Sequence, residues 1–105
     1  RRFKTPDMPK MFVDVFKKAQ DIIVQADKIQ KISAKFSGTT ATVVVHDRVE
    51  KKLTVAHVAD SACVLGTYTD ERKNSFVGKA LTRDHKPDLK EERARIEKAG
   101  GRVSN

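Results

Sequence analysis

The chain has 105 residues, enough for one domain, and a hydrophobic fraction of 38%, on the low side for a self-sufficient core. Charged residues make up 34% and the net charge is +8, which disfavours a membrane protein and raises the expectation of an anionic partner, phosphate or nucleic acid. No apolar run approaches the roughly 20 residues that span a bilayer, and the opening RRFKTPDMPKMF lacks the apolar core of a secretory signal.

A single cysteine, Cys63, rules out an internal disulfide and leads us to expect an intracellular protein, cytoplasmic or nuclear. The chain opens without methionine and both ends are abrupt, so a piece of something longer is expected.

From Met8 onward, apolar residues recur at Met11, Phe12, Val15, Phe16, Ala19, Ile22, Ile23, Ala26 and Ile29, the stripe of a long amphipathic helix over 8–34. Pro6 and Pro9 suit its first turn, with Thr5 or Asp7 as the cap. Ser37-Gly38 breaks the pattern. The β-branched run that follows predicts a strand at about 39–46, buried on both faces. Strands at about 52–58 and 62–68 are separated only by Ala59-Asp60-Ser61, which predicts a hairpin reversing at Asp60.

The polar segment TDERKNS is a loop, and a further strand at about 76–82 contains Gly78, a residue that weakens a strand or marks a bulge. Asp88, with Glu91 three residues on, has the spacing of a capping box, and a helix over 88–99 stops at Gly100-Gly101. Glu91 with Arg95 and Arg93 with Glu97 are candidate i,i+4 pairs.

Few residues stand out as chemistry. His46, His57 and His85 are too scattered for a zinc site, and Cys63 is alone. His57 falls within a strand pattern and reads as a packed or edge histidine, while His85 has the loop address of a functional residue. No nucleophile elbow is present, and Gly100-Gly101 follows a helix instead of opening one, so it offers no phosphate cradle. Basic residues are interleaved with acidic ones and the aromatics are five Phe and Tyr68, which argues against a base-stacking platform. Asp60 is the most interesting single position, a carboxylate at a reversal where it is placed either to meet a cation or to bond its own turn.

Three blocks then become specific. SGTTATVVV (37–45) is similar to the SGSTA-type strand opening of the type 2C metal-dependent protein serine/threonine phosphatases. LTVAHVADSACVL (53–65) resembles their LxVANxGDSRAVL segment, and LTRDHKPDLKEERARIEKAGGRV (81–103) resembles LTxDHKPxxxxERxRIxxAGGxV. The order and gaps are also family-like. The resemblance implies an α+β fold, part of a four-layer α-β-β-α sandwich with antiparallel sheets. It implies Mg2+ or Mn2+ held mostly by carboxylates and waters, with a metal-activated water attacking phosphoserine or phosphothreonine of a phosphoprotein substrate.

On the same basis Asp60 matches the aspartate associated with an additional, weakly held metal, and Asp84-His85 matches a loop-organising pair. Two departures accompany the match: Ala59 stands where the family has glycine, and Ala62 where it has arginine. The alanine costs little if its φ is negative and more than about 1 kcal/mol if positive.

The family's core metal-ligand segments are absent from this sequence, so no catalytic residue is assigned. The piece alone is expected to be inactive, to need the remaining segments of the parent phosphatase domain as partners, and to self-associate through bare sheet edges. A pseudophosphatase or regulatory module of the same fold, and more remotely a basic nucleic-acid binder, are the alternative readings.

Overall fold

A computed structural model of the chain describes residues 7–104. The fold class is α+β, with helix α1 (Met8–Lys28), strands β1 (Ala41–Asp47), β2 (Lys52–Val58), β3 (Val64–Asp70) and β4 (Ser75–Ala80), and helix α2 (Lys90–Lys98). The sheets are β1–β2 and β3–β4. Two compact units result, one of Arg1–Thr39 with Val44–Ala56 and one of Thr40–Val43 with His57–Asn105.

In the first unit, Asp7 is the N-cap of α1, and its carboxylate accepts from the Lys10 amide at 3.2 Å. That satisfies one of the orphan donors of the first turn, while Pro9 has no donor to lose. Thr5 and Pro6, also expected at this helix start, lie outside the described residues. Phe12 is the one buried apolar side chain among the described residues, at 8% exposure, and its ring meets Phe16 edge-on at 6.2 Å.

The apolar stripe continues to Ile29 and beyond, yet the helix ends at Lys28, short of the expected 34. The reason is local. Gln30 adopts φ 62°, and the amides of Gln30 and Lys31 donate to the carbonyls of Asp27 and Ala26, the paired bonds of a Schellman ending. The Asp27 carboxylate then takes the Ala34 amide at 3.0 Å, fixing the chain beyond the helix.

β1 and β2 are joined by four residues, a connection that permits only an antiparallel pair. Asp47 begins the reversal by accepting from the amides of Val49 and Glu50, and Lys51 completes it at φ 55°. β1 is not buried on both faces as its composition suggested, since Val43 and Val44 are exposed. A two-stranded sheet cannot cover both of its faces.

In the second unit, β3 and β4 pair antiparallel from Val64↔Ala80 to Asp70↔Ser75. The irregularity in register falls between Tyr68 and Asp70, not at Gly78, which pairs cleanly with Gly66. The expected loop at 69–75 is tighter than its composition implied. Asp70 accepts from the Arg72 amide and Asn74 takes φ 53°, so strand pairing extends to Asp70 and resumes at Ser75.

α2 begins at Lys90 behind Leu89, without a side-chain cap. Asp88 does not cap it, because the Leu89 amide donates to the Lys86 carbonyl across Pro87-Asp88 and commits Asp88 to the interior of a turn. Glu91 correspondingly pairs with Arg83 at 2.8 Å, not with Arg95, whereas Arg93 and Glu97 do meet, at 3.1 Å. The helix closes with a second Schellman ending, Gly100 to Glu97 and Gly101 to Ile96, with Gly100 at φ 91°.

The two endings differ in the residue that takes the left-handed position. Glycine enters it without steric cost, whereas a side-chain-bearing residue pays about 1 kcal/mol. Gln30→Gly is therefore expected to raise stability by roughly that amount, and Gly100→Ala to lower it by a similar amount, as read by denaturant midpoints at constant m-value.

Candidate functional site

The segment 59–63 lies in the second unit, and its polar groups are divided between two neighbours. Toward one side, the Ser61 carbonyl accepts from the Thr42 hydroxyl at 3.3 Å, and the Ser61 hydroxyl donates to Thr40 Oγ1 at 2.8 Å. Toward the other, the Ala59 carbonyl accepts from the His85 amide at 3.0 Å, the Cys63 amide donates to Thr82 Oγ1 at 2.9 Å, and the Cys63 carbonyl accepts from the Leu81 amide at 2.9 Å. Residues 81–85 thus run alongside the segment in place of a continuing β2.

This division corrects the expected hairpin at Asp60. β2 and β3 fall in different sheets, and residues 59–63 form a bend followed by an extended stretch. The backbone groups that a β2–β3 ladder would have used near the bend are already taken by Thr42, Leu81, Thr82 and His85.

Asp60 is the exposed residue of this bend, and its carboxylate makes no hydrogen bond or ion pair with the described residues. It therefore does not serve its own turn as an aspartate commonly does. Ala59 has φ 72°, the left-handed conformation in which a Cβ is strained.

Beside the bend, the imidazoles of His57 and His85 stack with ring centroids 4.5 Å apart and planes 16° from parallel. His57 Nε2 lies 2.8 Å from the Arg83 carbonyl, and since a carbonyl only accepts, Nε2 carries the proton. Sequence reasoning placed His57 in a strand and His85 in a loop, and spacing gave no sign that they meet. His46 is exposed on β1.

The floor next to this stack is α2. His57, His85, Leu89, Glu91 and Glu92 line one shallow groove, and Val58, Ala59, His85, Glu92 and Arg95 line another. Glu92, with a side chain 15% exposed, forms a two-pronged contact with Arg95, whose Nε lies 3.0 Å from one carboxylate oxygen. That hydrogen bond outweighs the opposing effect of burial and, aided by the charge of Arg95, holds the Glu92 carboxyl below its ordinary range. The same contact raises Arg95.

A hard divalent cation takes about six oxygen donors. Among the described residues no three His, Cys, Asp or Glu side chains converge as a metal site. The bend could serve such an ion only as one arm of a larger donor set: Asp60 offers a hard carboxylate oxygen that is solvent-facing and without a competing partner among the described residues. It does not fit as a complete site.

The comparisons with known proteins agree with one another. The protein phosphatase 2C family model matches residues 1–105. Probable protein phosphatase 2C 60 of Arabidopsis thaliana is 52% identical over 66 residues, 62% of this chain and 16% of that protein. Probable protein phosphatase 2C 12 of Oryza sativa subsp. japonica is 44% identical over 68 residues, 65% of this chain and 16% of its own length. The integrin-linked kinase-associated serine/threonine phosphatase 2C of Bos taurus is 35% identical over 91 residues, 87% of this chain and 24% of that protein. The chain thus spans between about a sixth and a quarter of these relatives. No solved structure matches significantly.

The strain at Ala59 has a direct test. Ala59→Gly is expected to stabilise the fold by about 1 kcal/mol, less the small entropic cost of a freer unfolded chain, and to raise the thermal midpoint. An unchanged or lowered midpoint would mean that the bend does not hold the left-handed conformation.

Proposed function

This chain belongs to the protein phosphatase 2C family, and we propose that it is the central segment of a metal-dependent phosphatase domain acting on phosphoserine and phosphothreonine in proteins. The family match over residues 1–105 carries this reading. The local chemistry is compatible with it, in that the one carboxylate of the 59–63 bend is exposed and has no partner among the described residues.

In this reading the parent domain is a four-layer α-β-β-α sandwich, and its core metal ligands lie on segments outside this sequence. Mg2+ or Mn2+, when bound, supplies an activated water for attack on phosphorus and positive charge for the phosphoryl oxygens. Asp60 contributes one oxygen ligand, directly or through water, to the weakest-held cation. Ala59 and Ser61 hold the backbone on either side of it, so that the bend presenting the carboxylate is fixed while the side chain stays free to meet a ligand. The isolated segment contributes no complete metal centre and is inactive alone.

The substrate is a phosphoprotein, and the remaining segments of the domain are obligatory partners. The lone Cys63 favours a reducing compartment, cytoplasm or nucleus. No helix among the described residues is long and apolar enough to cross a membrane.

One observation favours a second reading. The left-handed φ of Ala59, where the family has glycine, puts strain at the bend, as expected of a pseudophosphatase that has kept the fold and relaxed its site. The full-length protein decides between them. Mn2+-dependent phosphate release from a phosphothreonine peptide, abolished by a chelator, supports the enzyme.

In that assay Asp60→Asn is expected to raise the Mn2+ concentration for half-maximal rate at least about tenfold, since loss even of a group supporting a ligand costs 10–100-fold in metal affinity. No release from a folded protein identifies the pseudophosphatase. Release that survives chelation contradicts both readings.

A further inference from the structure

We propose that the stacked His57–His85 pair is a positioning device that holds the Asp60 carboxylate in its metal-facing orientation. The inference rests on the metal-ligand reading of Asp60 given above.

Four observations lead to it. The residue before Asp60 sits in a strained conformation, with Ala59 at φ 72°, and such a conformation persists only where surrounding contacts over-determine it. The bond that restrains it on this side is from the His85 amide to the Ala59 carbonyl, at 3.0 Å. His85 lies on the loop between β4 and α2, and its ring is half of a nearly parallel stack with His57.

His57 is in turn anchored at the end of β2, with Nε2 donating to the Arg83 carbonyl two residues before His85. The loop is therefore gripped at Arg83 and His85 by one side chain from β2. Arg83 adds a tie to α2 through Glu91 at 2.8 Å, a weak one because both side chains are largely exposed.

Geometry separates positioning from ligation. Neither imidazole makes a hydrogen bond to Asp60, and parallel stacked rings direct their nitrogen lone pairs in their own planes, not toward a common point. The stack thus acts on the carboxylate through the backbone: ring on ring, His85 amide to Ala59 carbonyl, and Ala59 to Asp60. Ser61, tied to Thr40 and Thr42, closes the other side. The side chain between two held backbone positions is the one left unbonded.

The test uses the full-length, 15N-labelled protein titrated with Mn2+, reading paramagnetic broadening of the amide signals of residues 59–61. Wild type is expected to show a late broadening step, at Mn2+ above that which fills the tighter-held sites, and Asp60→Asn to lose that step. His85→Ala removes the ring but keeps the backbone amide, and it is expected to shift the broadening midpoint about tenfold to higher Mn2+, with His57→Ala behaving alike. His85→Phe preserves a planar stacking partner and is expected to stay within about threefold of wild type.

If His85→Ala does not fold, His85→Leu, of similar bulk but unable to stack, is compared with His85→Phe, with the thermal midpoint of each measured alongside. A tenfold gap between Leu and Phe at matched stability supports positioning by stacking. Equal midpoints for all His85 variants, with Asp60→Asn still defective, overturn the positioning role and leave the metal reading intact. A late broadening step that survives Asp60→Asn overturns the metal reading and this inference with it.

Discussion

The second unit depends on how the polar backbone groups around Asp60 are satisfied. Had the chain simply reversed there, β2 and β3 would have paired and the bend would have been a hairpin tip. Instead the Ala59 carbonyl is taken by His85, the Ser61 carbonyl by Thr42 and both Cys63 backbone groups by Leu81 and Thr82. Buried or part-buried backbone groups must find partners, and this set of partners draws the 81–85 segment alongside the bend. The cost appears at Ala59, whose left-handed φ is tolerated because its carbonyl bond and its neighbours leave no cheaper arrangement.

Much of this was legible in the sequence where a local signal suffices. The 3.6-residue stripe from Met11 found α1, Asp7 was one of two candidate caps, and Gly100-Gly101 marked the end of α2. Where the outcome turned on which of two partners wins, local signals failed. The stripe ran past Lys28 into Ile29 and Ile32, but nothing in periodicity reveals that Gln30 will take a left-handed φ and that Asp27 will claim the Ala34 amide.

Asp88 and Glu91 had capping-box spacing, yet the Pro87 turn claimed Asp88 and Arg83 claimed Glu91. The candidate site shows the same limit. Asp60 was singled out from its position alone, but the His57–His85 contact joins residues 28 apart through a loop whose path is set by tertiary hydrogen bonds. The resemblance gave the family, and it flagged Ala59. The sign of that residue's φ came only with the structure.

The distribution of apolar surface fits a segment that completes its core with other parts of a domain. Phe12 is the one buried apolar residue among the described residues, while Val64, Tyr68, Phe76 and Val77 on β3–β4 are all more than half exposed. The Gly66–Gly78 pair lies beside the edge-to-face rings of Tyr68 and Phe76, and this apolar surface is left exposed. Burying it is worth about 25 cal/mol per Å2 removed from water, so the covering layers of a sandwich would contribute far more stability than any ion pair on this chain.

The most direct test is a crystal structure of the full-length protein grown with Mn2+ and read by anomalous scattering from manganese. The account predicts a manganese peak bonded to Asp60, at the roughly 2.0–2.6 Å of hard-cation to oxygen bonds or through one intervening water, with Ala59 still at positive φ. Manganese bound only elsewhere, with the Asp60 carboxylate turned back onto its own backbone, would contradict it.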